Sequence, residues 1–180
     1  IIKDKQFGGE RPLFASHDLH IDNVLITEGE SAIKECSNIK ATNCRFEGNY
    51  PFWHVHGFEI SNCYFAVGGR SALWYCDNLK MNDTVIDAPK MFREMSHMQL
   101  KNITMNDADE VFWKCDDIRI ENIRMHGGTY PFMFSHDIYV DGMESDSKYV
   151  FQYARNVEIH NARIKTKDAF WEVDNVTVYD

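Results

Sequence analysis

Trp53, Trp74, Trp113 and Trp171 are the only tryptophans of this 180-residue chain, and 21, 39 and 58 residues separate them. Those gaps are close to one, two and three multiples of a single interval, so one column of a repeating structure would hold all four. Lys34 and Arg93 fall in the same column, and the next position of the repeat carries Glu35, Glu94 and Glu172. Aromatic rings interleaved with carboxylates and cations can grip a sugar chain, because rings cover the apolar sugar faces and polar groups bond the hydroxyls. The four tryptophans are therefore the expected stacking platforms, with Lys34 and Glu172 as polar contacts. Glu35 or Glu94 is the expected acid or base, with Arg93 beside Glu94. Two carboxylates would serve glycoside hydrolysis, and a base next to a cation would serve an elimination. The plainer reading is a partly buried aromatic column flanked by the solvated pairs Lys34–Glu35 and Arg93–Glu94.

The interval comes from a phrase that returns nine times: apolar, any, apolar, any, then most often Asn. Its first apolar positions are residues 19, 39, 58, 79, 98, 118, 138, 157 and 176, so the steps are 19 to 21 residues. Alternation of this kind marks a strand with one buried face. A second extended segment is expected before each phrase, as in Ala72-Leu73-Trp74-Tyr75-Cys76, with turn residues such as Glu47-Gly48-Asn49 between segments. Helical periodicity is absent and the leucine-rich spacing does not occur. The expected fold is all-β: a right-handed single-stranded parallel β-helix, a solenoid of about nine rungs of 19–21 residues, forming one domain over residues 1–180. Leu13, Ile33, Phe52, Leu73, Phe92, Phe112, Phe132, Phe151 and Phe170 form an apolar spine, and the column Asn23, Asn43, Asn62, Asp83, Asn102, Asn122, Gly142, Asn161 and Asp180 reads as an asparagine ladder at a sharp bend. The chain stops at Asp180 in mid-rung, so an uncapped end open to self-association or to further rungs is expected.

Other chemistry is excluded more firmly. A formal net charge of -9 argues against a nucleic-acid partner. No apolar run is long enough to cross a membrane as a helix. Cys36, Cys44, Cys63, Cys76 and Cys115 contain no CxxC pair and fall in otherwise small or apolar columns, which reads as buried thiols in a reducing, cytoplasmic setting. Cys44 and Cys63 are one coil apart, close enough for a disulfide to be conceivable. The eight histidines do not converge, and Asp107, Asp109, Asp116 and Asp117 read as turn formers, so no metal and no cofactor is expected.

Tyr50-Pro51-Phe52-Trp53, Ala72-Leu73-Trp74-Tyr75, Ala88-Pro89-Lys90-Met91-Phe92-Arg93-Glu94, Tyr130-Pro131-Phe132-Met133 and Lys167-Asp168-Ala169-Phe170-Trp171 together resemble an uncharacterised bacterial family of pectin-lyase-like right-handed β-helix proteins. The resemblance covers nearly the whole chain, and the family's members run several rungs further. The wider superfamily includes polysaccharide lyases, hydrolases and epimerases, so it implies a carbohydrate-binding or polysaccharide-processing protein by analogy of fold. The alternative is a non-enzymatic scaffold or protein-interaction solenoid. The two differ in one observable: a sugar platform needs indole faces open to solvent.

Overall fold

A computed structural model describes residues 1–180. It is a parallel β-solenoid without helices. Ten of its strands follow one another in a single parallel order, from Ile2–Lys3 through His17–Asp22 and Ser37–Thr42 to Arg155–Ile164 and Asp174–Tyr179. The register is one-to-one: Leu79 pairs with Met98, Met98 with Ile118, Ile118 with Ile138, and Ile138 with Val157. Each alternating phrase therefore lies directly on its copy in the next rung, as the 19–21-residue step requires.

The core is one column-built cluster. Ile33, Phe52, Leu73, Phe92, Phe112, Phe132 and Phe151 are buried, and Phe170 packs partly buried against them. Phe92–Phe112, Phe112–Phe132 and Phe132–Phe151 stack at 4.5, 4.6 and 4.5 Å between ring centroids. Identical rings in identical register meet face to face, which adds to the burial of apolar area. All five cysteines are free and buried. Burial pushes the Cys76 thiol up to about 12 and raises Cys36 and Cys115 as well, so these thiols pack as small hydrophobes.

Two expectations need correcting. The second extended segment is a paired strand only at Ile33–Lys34 and Phe52–Trp53. Elsewhere left-handed residues break it, as at Ser71, Leu73 and Tyr75 or at Lys90, Phe92 and Glu94. Bulky residues seldom adopt positive φ; here the stacked neighbour in each rung holds them there. The asparagine ladder is also not continuous. Asn43 donates to Asp22 (2.8 Å), and Asn62 donates to Asn43 (2.7 Å). Asn102 donates to Asp83 (2.9 Å), Asn122 to Asn102 (3.2 Å), and Asn161 to Asp141 (2.8 Å). Each run starts on a carboxylate, because an ionised Asp only accepts. The runs through Asn62 and Asn122 stop where the next corner offers Asp83 or Gly142, which carry no amide to donate, whereas Asn23 donates to Asp4 (2.7 Å) and is bypassed by Asn43, which turns to Asp22.

Candidate functional site

The tryptophan column exists, but both faces of Trp74 are already in use. Trp53 and Trp74 stack at 5.0 Å and 19°. The Arg93 guanidinium lies 4.6 Å from the Trp74 ring centre and 5.2 Å from that of Trp113. Trp74 thus has a neighbour on both faces, and Trp53 and Trp113 each have one. The Trp53 and Trp74 indole N–H groups donate to the Ser71 and Lys90 carbonyls at 2.7 Å, which ties the rings down. The Trp74 ring faces therefore look along the solenoid, toward Trp53 on one side and Arg93 on the other. Trp171 differs: it is 55% exposed.

The polar residues predicted around this column are spread out. Glu35 and Glu94 occupy one column three rungs apart, about 14 Å at ~4.8 Å per rung. Paired glycosidase carboxylates sit roughly 5 to 9.5 Å apart. The structure does not bring these two together, and Glu172 lies four rungs beyond Glu94. Ion pairs run between rungs, Glu94 to Lys114 at 3.7 Å and Lys90 to Glu110 at 3.6 Å, and not between the chain neighbours Arg93 and Glu94. Arg93 is held as a permanently charged wedge between indoles, where it cannot act as a base. Lys34 is half-buried, and Glu35 and Glu172 are exposed. Asp109 accepts from the Thr129 N–H and hydroxyl, both at 2.9 Å, at one corner. Asp116 and Asp117 begin a strand at another corner, so the four aspartates do not form one cluster.

Several open depressions lie on another surface, the outward face of the parallel sheet. Two corners of left-handed residues bound it. One is the ladder just described. The other, at Asp18, Asn38, Asn78, His97, Asp117, Asp137, Asn156 and Asn175, is a second amide-and-carboxylate line. Within it Asn38 donates to Asp18 at 2.6 Å and Asn175 to Asn156 at 3.0 Å. Its signal in the sequence is an Asn, Asp or Gly immediately before most of the alternating phrases. Between the corners each strand points two side chains outward. One row is Lys40, Glu59, Lys80, Gln99, Arg119, Tyr139 and Glu158. The other is Thr42, Ser61, Asn82, Lys101, Glu121, Asp141 and His160.

A depression of about 440 Å³ is lined by Lys80, Gln99, Lys101, Arg119, Tyr139 and Asp141, among others. Three more depressions on the same face share Lys80, Arg119 or Tyr139 as walls, and together they make one shallow track along the solenoid. Lys101 pairs with Glu121 at 3.6 Å, and the Arg119 guanidinium lies 5.6 Å from the Tyr139 ring. The corner beside the track carries His56–Asp77 at 2.8 Å and His97–Asp117 at 2.6 Å, and the Asp117 hydrogen bond raises the pKa of His97. His136 at 2.8 Å, with the Asn156 amide, holds the Asp137 carboxyl below its ordinary range. No group of three or more His, Cys, Asp or Glu side chains is placed to hold a metal ion.

Comparison with solved structures finds weak likenesses. The Streptococcus pneumoniae surface protein and adhesin PfbA is 8% identical, over 92% of this chain and 68% of that one, with a TM-score of 0.34. The plasmid-mediated fluoroquinolone resistance protein QnrB1 is 14% identical, over 99% of this chain and 92% of that one, with a TM-score of 0.36. No curated protein matches the sequence. The family model described as Protein of unknown function (DUF3737) matches residues 1–180, and the chain belongs to that family.

Proposed function

We propose that this solenoid binds an extended oligosaccharide laid along the polar face of its parallel sheet. The observation that carries this reading is the track itself. It is a shallow run of depressions walled by amides, hydroxyls, carboxylates and cations, with Tyr139 as an aromatic side chain lining two of them. A protein partner would need a dry apolar centre, and this face presents none. A nucleic acid would meet Glu59, Glu121 and Asp141, which repel a phosphate chain. A sugar chain meets donors and acceptors at every rung, and the Tyr139 ring offers an apolar surface beside them. The repetition suits a polymer, because each rung repeats the same two outward positions.

The test is titration with a panel of neutral and acidic oligosaccharides, followed by backbone amide NMR shifts. Shifts confined to the rungs of Lys80, Gln99, Arg119 and Tyr139 are expected. Gln99→Ala and Tyr139→Ala should each weaken binding by about tenfold, the effect of losing one well-placed contact. Shifts centred on Trp171 instead would return the site to the tryptophan column and sink the sheet-face reading.

A second reading, a protein-binding scaffold, rests on a different surface. Phe134 and Tyr153 stack at 5.3 Å and are 45% and 47% exposed, with Trp113 edge-on to Phe134 at 5.8 Å. Exposed stacked aromatics of this kind are common anchors in protein interfaces. Capture of a protein that is lost in Phe134→Ala and unaffected by Tyr139→Ala would favour it.

A further inference from the structure

Lys40, Lys80 and Arg119 occupy alternate rungs of one row, so their attachment points repeat every two rungs, about 9.6 Å. None of the three has a carboxylate within 4.0 Å, although Glu59 lies in the row between Lys40 and Lys80. By contrast Lys101, in the neighbouring row, is neutralised by Glu121 at 3.6 Å. The rungs between the free cations carry Glu59 and Gln99: one repels an anion and the other is neutral. Beside them the second row offers Thr42, Ser61 and Asn82, which are small uncharged hydrogen-bonding groups.

From this alternation we propose that the track selects an extended glycan bearing a carboxylate or sulfate on every second residue. The proposal rests on the oligosaccharide reading above and adds the ligand's charge pattern. A pyranose in an extended chain advances by nearly the same distance as one rung. Every second residue then meets a free cation, and the residues between meet Glu59 or Gln99. A polymer charged at every residue would place an anion against Glu59, so discrimination comes from repulsion as well as attraction. A neutral polymer would leave three cations without anionic partners and gain no charge pairing from them.

Three octasaccharide probes separate the possibilities: neutral cello-oligosaccharide, oligogalacturonate charged at every residue, and hyaluronan oligosaccharide charged at every second residue. Calorimetric titration should show the alternating probe binding at least about tenfold more tightly than either other, with the gap narrowing as salt screens the charges. Lys80→Ala and Arg119→Ala should each reduce that preference. Lys148→Ala, on another face, should not. Glu59→Gln should raise affinity for oligogalacturonate specifically. Equal binding of the neutral probe, or of oligogalacturonate, overturns the charge-spacing proposal while leaving the glycan reading intact. Binding of none of the three overturns both. Circular dichroism of each variant separates a lost contact from a lost fold.

Discussion

Trp74 and Gly142 show how one side chain's surroundings decide its role. The Trp74 indole has the expected type and spacing for a sugar platform, yet Trp53 and Arg93 cover its two faces. Gly142 does the opposite, since the missing side chain is what interrupts the amide ladder between Asn122 and Asn161. Its φ is +86°, a region Asn also tolerates, and an added Cβ would meet the Asn122 side-chain oxygen at 3.3 Å. Gly142→Asn should join the two runs and raise stability by about 0.5–1.5 kcal/mol, read from urea midpoints, by adding amide hydrogen bonds and restricting the unfolded chain. A lowered midpoint would mean that the close contact outweighs the new bonds. The His97–Asp117 pair makes a pH prediction. The pKa of His97 is raised from its ordinary 6.5 in the fold, chiefly by the Asp117 hydrogen bond. The pair's contribution is therefore complete below the unfolded pKa and is lost as pH rises through the raised one. Asp117→Asn should lower the thermal midpoint slightly at pH 5.5 and leave it unchanged at pH 9. The reverse order would contradict the assignment.

Each rung combines a polar outward strand with an apolar spine segment, and the two were unequally legible. The strands were readable because their period-two pattern, as in Ile118-Arg119-Ile120, has only one solution with a buried face. The spine was readable as an apolar column, but its backbone was not. Alternation suggests extension, whereas Phe92, Phe112, Phe132 and Phe151 adopt φ of 64°, 56°, 66° and 64°. The stacking of aromatic rings between rungs supports that conformation, and sequence patterns within one rung do not reveal it. Phe112 lies between Phe92 and Phe132 at 4.5 and 4.6 Å. Phe112→Ala should thus cost about 3–5 kcal/mol in denaturant unfolding, as a large cavity in a close-packed core does. A loss below about 1 kcal/mol would mean that the column collapses to refill the space.

As a whole molecule, this chain is a stack in which each rung contacts its two neighbours. Such a solenoid resembles a one-dimensional chain of coupled units. Native-state hydrogen exchange should find the slowest amides in the central strands Asp77–Ile86 through His136–Ser145, with protection falling toward both ends. Uniform protection from end to end would instead indicate a single all-or-none unit. The amino-acid sequence alone determined the solenoid, its rung length, its register, its spine and the burial of its thiols. A repeat of 19–21 residues with alternating apolar positions leaves one way to bury every apolar face. It did not determine how those columns face solvent or one another. Residue types nominated the tryptophan column, and only the tertiary structure showed Trp53, Trp74 and Arg93 stacked along the axis and shallow depressions on the polar face of the sheet. The reason is physical: periodicity fixes which residues share a column, but the faces a ring presents and the pairing of a charge depend on the neighbours above and below.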